Sequence, residues 1–147
     1  MKLAFRTDAS LQIGTGHVMR CLTLADALAK KNMQSEFICR EHVGNLIEYI
    51  SSRGYFVHSL PTASEGDDDQ QHTSWLGATQ TQDADACSVL LSEIQPDLLV
   101  VDHYALDACW EERSESYCGQ LVVIDDLADR PHICCVLIDQ TFGRLAD

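Results

Sequence analysis

The sequence predicts an α/β protein with a Rossmann-like open parallel sheet and helices on both faces. Three observations lead there. Short apolar runs alternate with segments of helical periodicity along the chain. Three of those runs, LLVV at 98–101, LVVI at 121–124 and CVLI at 135–138, are apolar at consecutive positions, as strands covered on both sides must be. Polar residues gather just past the ends of the runs, the edge at which an open parallel sheet binds ligands.

Residues 2–6 (KLAFR) form the first strand, and Gly14 and Gly16 punctuate the loop after it. From His17 the apolar positions Val18, Cys21, Leu22, Ala25, Leu28 and Ala29 recur at helical spacing, so a helix runs to about Lys31. A strand follows at 35–39, a helix at 46–52 that stops at Gly54, and a third strand at 55–60. Residues 61–74 (PTASEGDDDQQHTS) carry proline, glycine and an acidic run and read as a solvated loop without a domain boundary. Ala84, Cys87, Leu91 and Ile94 make the next helical stripe, with Asp83 and Asp85 favouring its positive end and Pro96 stopping it. The LLVV strand, a helix near 106–116, and the LVVI and CVLI strands complete the pattern. No repeat recurs at a solenoid period.

The chain has 147 residues, 46% of them hydrophobic, enough for one continuous core. No apolar run approaches the roughly 20 residues that cross a bilayer, and the start breaks into charge too early for a signal peptide. A soluble, cytoplasmic protein with no membrane span is expected. Its seven cysteines include no C-x-x-C pair and mostly sit in apolar segments, where they act as small hydrophobes in a reducing compartment. The net charge of −13 argues against nucleic acid, whose backbone is bound by lysine and arginine. An anionic small ligand would need a local positive field from a helix N-terminus and a few arginines.

The chemistry-bearing residues are positional. The first strand delivers Arg6 and Asp8, the LLVV strand Asp102, His103 and Tyr104, the LVVI strand Asp125 and Asp126, and the CVLI strand Asp139. Any one aspartate there equally serves as a helix cap, but the cluster at one edge points to a site. In the loop Ile13-Gly14-Thr15-Gly16-His17 two glycines let backbone N–H groups approach an anion at the helix start. The loop is neither a dinucleotide fingerprint, since Met19 stands where the third glycine belongs, nor a P-loop. His17 opens the helix, where partial positive charge favours a neutral ring able to take a proton from water; a bond to a loop carbonyl is the plainer alternative. Arg20, one turn on, either meets a phosphate or pairs with an aspartate. His103 and Tyr104 either flank a sugar ring or fill a half-buried strand end. No H-x-x-x-H pattern occurs and none of the polar residues past the strand ends forms a D-x-D, so neither metal nor cofactor is expected.

Phe5-Arg6-Thr7-Asp8-Ala9-Ser10 followed by Ile13-Gly14-Thr15-Gly16-His17-Val18-Met19-Arg20-Cys21 resembles the opening of the UDP-2,4-diacetamido-2,4,6-trideoxy-β-L-altropyranose hydrolases. The segments LLVVDHY at 98–104 and IDDLADRPHICCVLID at 124–139 resemble later parts of that family, in the right order. The resemblance spans nearly the whole chain apart from the acidic loop. It implies the N-terminal half of a glycosyltransferase B-type fold, similar to the N-acetylglucosamine transferase of peptidoglycan synthesis. Residues 1–147 would be the N-terminal α/β catalytic domain, with the C-terminal nucleotide-binding domain absent from this chain as the missing partner. The implied reaction is attack of water on the anomeric carbon of the UDP-sugar, releasing UDP, in the biosynthesis of pseudaminic acid for bacterial surfaces and flagellin glycosylation. The family's catalytic histidine falls on His17 and its active-site tyrosine on Tyr104; Arg6, Asp8, Gly14, Thr15, Gly16, Arg20, Asp102 and His103 are the candidate substrate-binding residues. Two other readings share these residues: a glycosyltransferase of the same fold with a UDP-sugar donor, and a non-catalytic nucleotide-sugar binding module. The charge of −13 argues against the basic, membrane-facing patch that a transferase with a lipid acceptor needs.

Overall fold

The computed structural model describes residues 1–62 and 73–141. Six strands, β1 (Lys2–Thr7), β2 (Gln34–Arg40), β3 (Phe56–Leu60), β4 (Leu98–Asp102), β5 (Gln120–Ile124) and β6 (Val136–Ile138), pair in parallel in the order β3-β2-β1-β4-β5-β6. The helices are α1 (Gly16–Ala29), α2 (Ile47–Ser52), α3 (Thr73–Leu76), α4 (Gln80–Ile94) and α5 (Ala108–Ser114). This is the Rossmann-like α/β sheet that the alternating pattern predicts.

Alternation along the strands builds two cores. Leu3 and Phe5 of β1, Phe37 and Cys39 of β2 and Val100 of β4 pack with Val18, Cys21, Leu22 and Ala25 of α1 and Ile50 of α2. Ala4, Ile38, Leu99, Val101, Leu121 and Val123 turn to the other face, against Ala84, Cys87, Leu91 and Ile94 of α4 and Trp110 of α5. Each wholly buried Leu, Val, Ile or Phe contributes about 1.5–3 kcal/mol relative to exposure, and the central strands bury such residues on both faces. Hence the LLVV run of β4 and the LVVI run of β5 are apolar at every position.

Several elements differ from expectation for local reasons. Helix α1 stops short of Lys31 because the N–H groups of Lys31 and Asn32 bond back to Leu28 and Ala29, and Asn32 turns the chain at φ 61°. Helix α4 begins four residues before its first expected apolar position, where Thr79 and Gln82 form a capping box. Asp107 caps α5 by accepting from the Cys109 N–H, so the expected helix at 106–116 is a shorter one followed by a 3₁₀ turn, Glu115–Tyr117. Of the loop expected at 61–74, residues 63–72 lie outside the described residues and its end already belongs to α3. The CVLI run, expected to be covered on both sides, forms the edge strand β6, whose Val136 and Leu137 are 47% and 53% exposed among the described residues.

The chain order runs outward in both directions from β1 and β4, so the switch point of the sheet lies between them. Thr7 and Asp102 stand opposite each other in register there. Every strand is parallel, so their carboxyl ends, with the residues just past them, share that one edge.

Candidate functional site

Two polar clusters occupy the switch-point edge. The outer one is organised by Asp102, the last residue of β4, whose side chain is fully buried. Its Oδ1 accepts from Nδ1 of His17 at 2.5 Å and from a terminal nitrogen of Arg20 at 2.6 Å. Its Oδ2 accepts from Nε of Arg20 and, at 3.7 Å, from the Cys21 thiol. His17 and Arg20 reach one carboxylate because they lie three apart on α1, on one face of its first turns. The remaining Arg20 nitrogen bonds to Asp126, just past β5, and Asp126 also accepts the N–H of Gln140 at 3.0 Å. Burial works to raise the Asp102 pKa, but the bonds from Arg20 and His17 hold it below the usual carboxylate range. It is therefore a carboxylate, an acceptor only, and His17 presents Nδ1–H to it. The Nε2 atom of His17 makes no hydrogen bond to any described residue.

Tyr104 closes over this imidazole edge-on, with ring centroids 4.3 Å apart. The Arg130 guanidinium lies 5.8 Å from the centre of the Tyr104 ring, and the Trp75 ring centroid lies 6.4 Å from it. Burial pushes the phenol pKa up, so Tyr104 is a protonated donor at neutral pH. Ser10 and Gly14 pair across the preceding loop, and Gly14 adopts φ +78°, which favours glycine. Thr15 precedes α1 without a side-chain cap, and a Cβ on Gly16 would meet nothing within 4 Å. The start of α1 is thus an uncapped helix N-terminus with open space before it, beside His17.

The inner cluster is buried. Arg6 is wholly buried and divides its guanidinium between Asp8, at 2.7 and 3.1 Å, and Asp83 of α4, at 3.1 and 2.7 Å. Asp8 also accepts from the Arg40 N–H at 2.7 Å, His42 at 3.2 Å and His103 at 2.9 Å. Asp83 also accepts from Arg40 at 2.6 Å and the Trp110 indole at 2.9 Å. Burial alone would raise both carboxyls, yet Arg6 and these donors hold them well below the usual range. The network ties β1, β2, α4 and α5 together beneath the site.

The structure therefore separates the sequence-derived candidates. His17, Arg20, Asp102 and Tyr104 come together, with the Gly14-Thr15-Gly16 turn beside them. Arg6, Asp8 and His103 lie behind in the buried network, where Arg6 already satisfies two carboxylates. Asp83 is no simple helix-end charge, since it is buried in that network. Asp126 and Trp75 join the outer group; Asp126 was visible as a polar strand end, but nothing in a polar loop marks Trp75 as its neighbour.

Asp8, His42 and His103 are the one set of three among the described residues whose atoms converge closely enough for a metal. Their bonding does not suit one. The Ala105 N–H donates to Nδ1 of His103 at 3.0 Å, so the neutral ring carries its proton on Nε2, the atom facing Asp8. Burial lowers the His103 pKa and keeps that ring neutral. A metal would need the Nε2 lone pair that this tautomer lacks.

Near the far edge, His132 bridges two buried carboxylates, Glu111 at 2.7 Å through Nδ1 and Asp125 at 2.8 Å through Nε2. Glu111 also accepts the Ile133 N–H at 2.9 Å, which pins the segment between β5 and β6 to α5.

Fold and site together define a Rossmann-like α/β protein with a polar constellation at its switch point. No family model matches the chain. It is 29% identical to the UDP-2,4-diacetamido-2,4,6-trideoxy-beta-L-altropyranose hydrolase of Campylobacter jejuni subsp. jejuni, over 148 residues that cover all of this chain and 44% of that protein. It is also 24% identical to the uncharacterized protein MJ1062 of Methanocaldococcus jannaschii, over 126 residues covering 86% of this chain and 22% of that one. The chain thus spans less than half the length of the curated relatives it matches. No helix among the described residues is long and apolar enough to cross a membrane.

Proposed function

We propose that the chain forms the base-bearing half of a nucleotide-sugar hydrolase that cleaves UDP-2,4-diacetamido-2,4,6-trideoxy-β-L-altropyranose, or a close relative of it, by attack of water on the anomeric carbon. The observation that carries this reading is the state of His17. Its Nδ1 is tied to a buried carboxylate, its Nε2 bonds to no described residue, and it stands at the switch point where an α/β sheet binds ligands. Such a ring accepts a proton from a water molecule at Nε2 while the sugar–phosphate bond breaks. The uncapped start of α1 supplies N–H groups and a helix dipole to a departing phosphate, which an overall charge of −13 makes all the more necessary. Tyr104 presents a phenol donor beside the base. The similarity to the Campylobacter jejuni hydrolase supports the substrate class. Most contacts to the uridine are assigned to a second domain beyond these 147 residues.

The test uses the full-length protein with the UDP-sugar, no acceptor, and EDTA throughout. Free sugar and UDP are expected, with label from ¹⁸O-water on the sugar's anomeric oxygen. His17→Asn should lower kcat by about 10²- to 10⁴-fold, the range for losing a general base, while Tyr104→Phe costs less because the base remains. Near-normal kcat in His17→Asn would overturn the assignment. Label on the UDP instead would move the cleavage to the phosphorus.

A further inference from the structure

We infer that Asp102 is the positioning residue of the His17 base, locked in turn by Arg20 and Asp126, and that neither Asp102 nor Arg20 contacts the substrate. The inference rests on His17 acting as the base. A carboxylate offers about four lone-pair sites. All four on Asp102 are filled, Oδ1 by His17 and Arg20 and Oδ2 by Arg20 and Cys21. No acceptor remains for a sugar hydroxyl. Arg20 is equally committed, its Nε and one terminal nitrogen gripping Asp102 as a fork and the other terminal nitrogen on Asp126. A phosphate reaching Arg20 would have to displace a carboxylate.

What this arrangement does is set the direction of the ring. With Asp102 ionised and fully buried, the Nδ1–H tautomer is the one that satisfies both groups, and it leaves the lone pair on Nε2. The Arg20 fork fixes the plane of the carboxylate and therefore the aim of the imidazole. Charge favours the same outcome. Asp102, Asp126 and Arg20 sum to one negative charge, which the imidazolium formed during the reaction neutralises. The signal in the sequence is a histidine and an arginine three apart at the start of a helix, with an aspartate ending a strand across the switch point.

Two measurements test this. The first is ¹⁵N NMR of the His17 ring in this chain at a pH where the ring is neutral. The wild type should carry the proton on Nδ1, and Asp102→Ala should shift it towards Nε2, the form free imidazoles prefer. Arg20→Lys keeps the charge without the fork and so guards against a variant that fails to fold; it should retain Nδ1–H with a broadened, less ordered ring signal. The second is steady-state kinetics of full-length Asp102→Asn, where kcat should fall by about 10²-fold or more with KM within about threefold, because only the aim of the base is lost. In the double variant with His17→Asn, the loss should be no greater than that of His17→Asn alone. A wild-type ring protonated on Nε2, or an Asp102→Asn enzyme with raised KM and intact kcat, would overturn the positioning role. An active His17→Asn enzyme with the wild-type ring still protonated on Nδ1 would instead remove the base reading and leave the tautomer assignment standing.

Discussion

Among single residues, His132 shows how a charge is held where no reaction needs it. Both of its nitrogens face buried carboxylates, so the ring is held as an imidazolium. Burial opposes that charge, but Glu111 and Asp125 outweigh it and raise the His132 pKa. A raised histidine pKa contributes stability that is complete below the ordinary value near 6.5 and is lost as pH climbs through the raised one. His132→Gln is expected to cost about 3 kcal/mol near pH 6, since it leaves buried Glu111 without its cation and Asp125 with only Arg130, at 3.4 Å. In urea titrations the gap from wild type should narrow as pH rises through the raised pKa, and a gap independent of pH would refute the clamp. Asp8, Asp83 and Asp102 act in the opposite sense. Their lowered pKa values stabilise above the ordinary aspartate range, and that contribution is lost as pH falls through the lowered values. Residues of the site were legible only as positions. His17, Asp102 and Tyr104 follow a glycine turn or end a strand, and that is a local feature. That Arg6 would face Asp83, 77 residues away, and so belong to the interior, is a tertiary fact that no spacing carries.

Secondary-structure elements are set by their ends as much as by their faces. Thr79 accepts from the Gln82 N–H at 3.1 Å while the Gln82 side chain accepts from the Thr79 N–H at 3.1 Å. Thr79→Ala removes one of these bonds and should destabilise the chain by about 1 kcal/mol. A thermal melt should register a fall of about 2–4 °C for a chain of this size. The T-x-x-Q motif stands in the sequence, but apolar periodicity starts at Ala84 and drew the boundary there. The short helix α3 is harder to foresee. Leu76 is buried in the core beside α4, and Gly77 turns at φ +73° against His42, where a Cβ would come within 3.0 Å of the ring. Those anchors lie in β2's trailing loop and α4's core, outside any local window. The doubly apolar strands were legible for the opposite reason, because burial on both faces leaves a mark on every residue of the run.

At the scale of the molecule, the two cores share the same central strands, so neither face can come apart alone. Urea unfolding is expected to be a single transition, with fluorescence of buried Trp110 on one face, isolated in a Trp75→Phe background, tracking amide exchange of α1 on the other. Two separated midpoints would mean that the faces unfold independently. The parallel sheet was readable from the alternation of elements. The strand order was not, since it depends on β1 pairing with β4, whose residues lie about a hundred positions further on. That pairing also bears on how the chain is made. β1 leaves the ribosome before β4, yet it sits at the centre of the sheet and must wait for β4 before its second edge is covered. Leu3 pairs with Leu98, so the whole stretch between the two strands is synthesised while that edge stands open, some seconds at typical elongation rates of about 5–20 residues per second. Only when β4 arrives can Asp102 meet His17, so the step that covers the exposed edge is also the step that assembles the base.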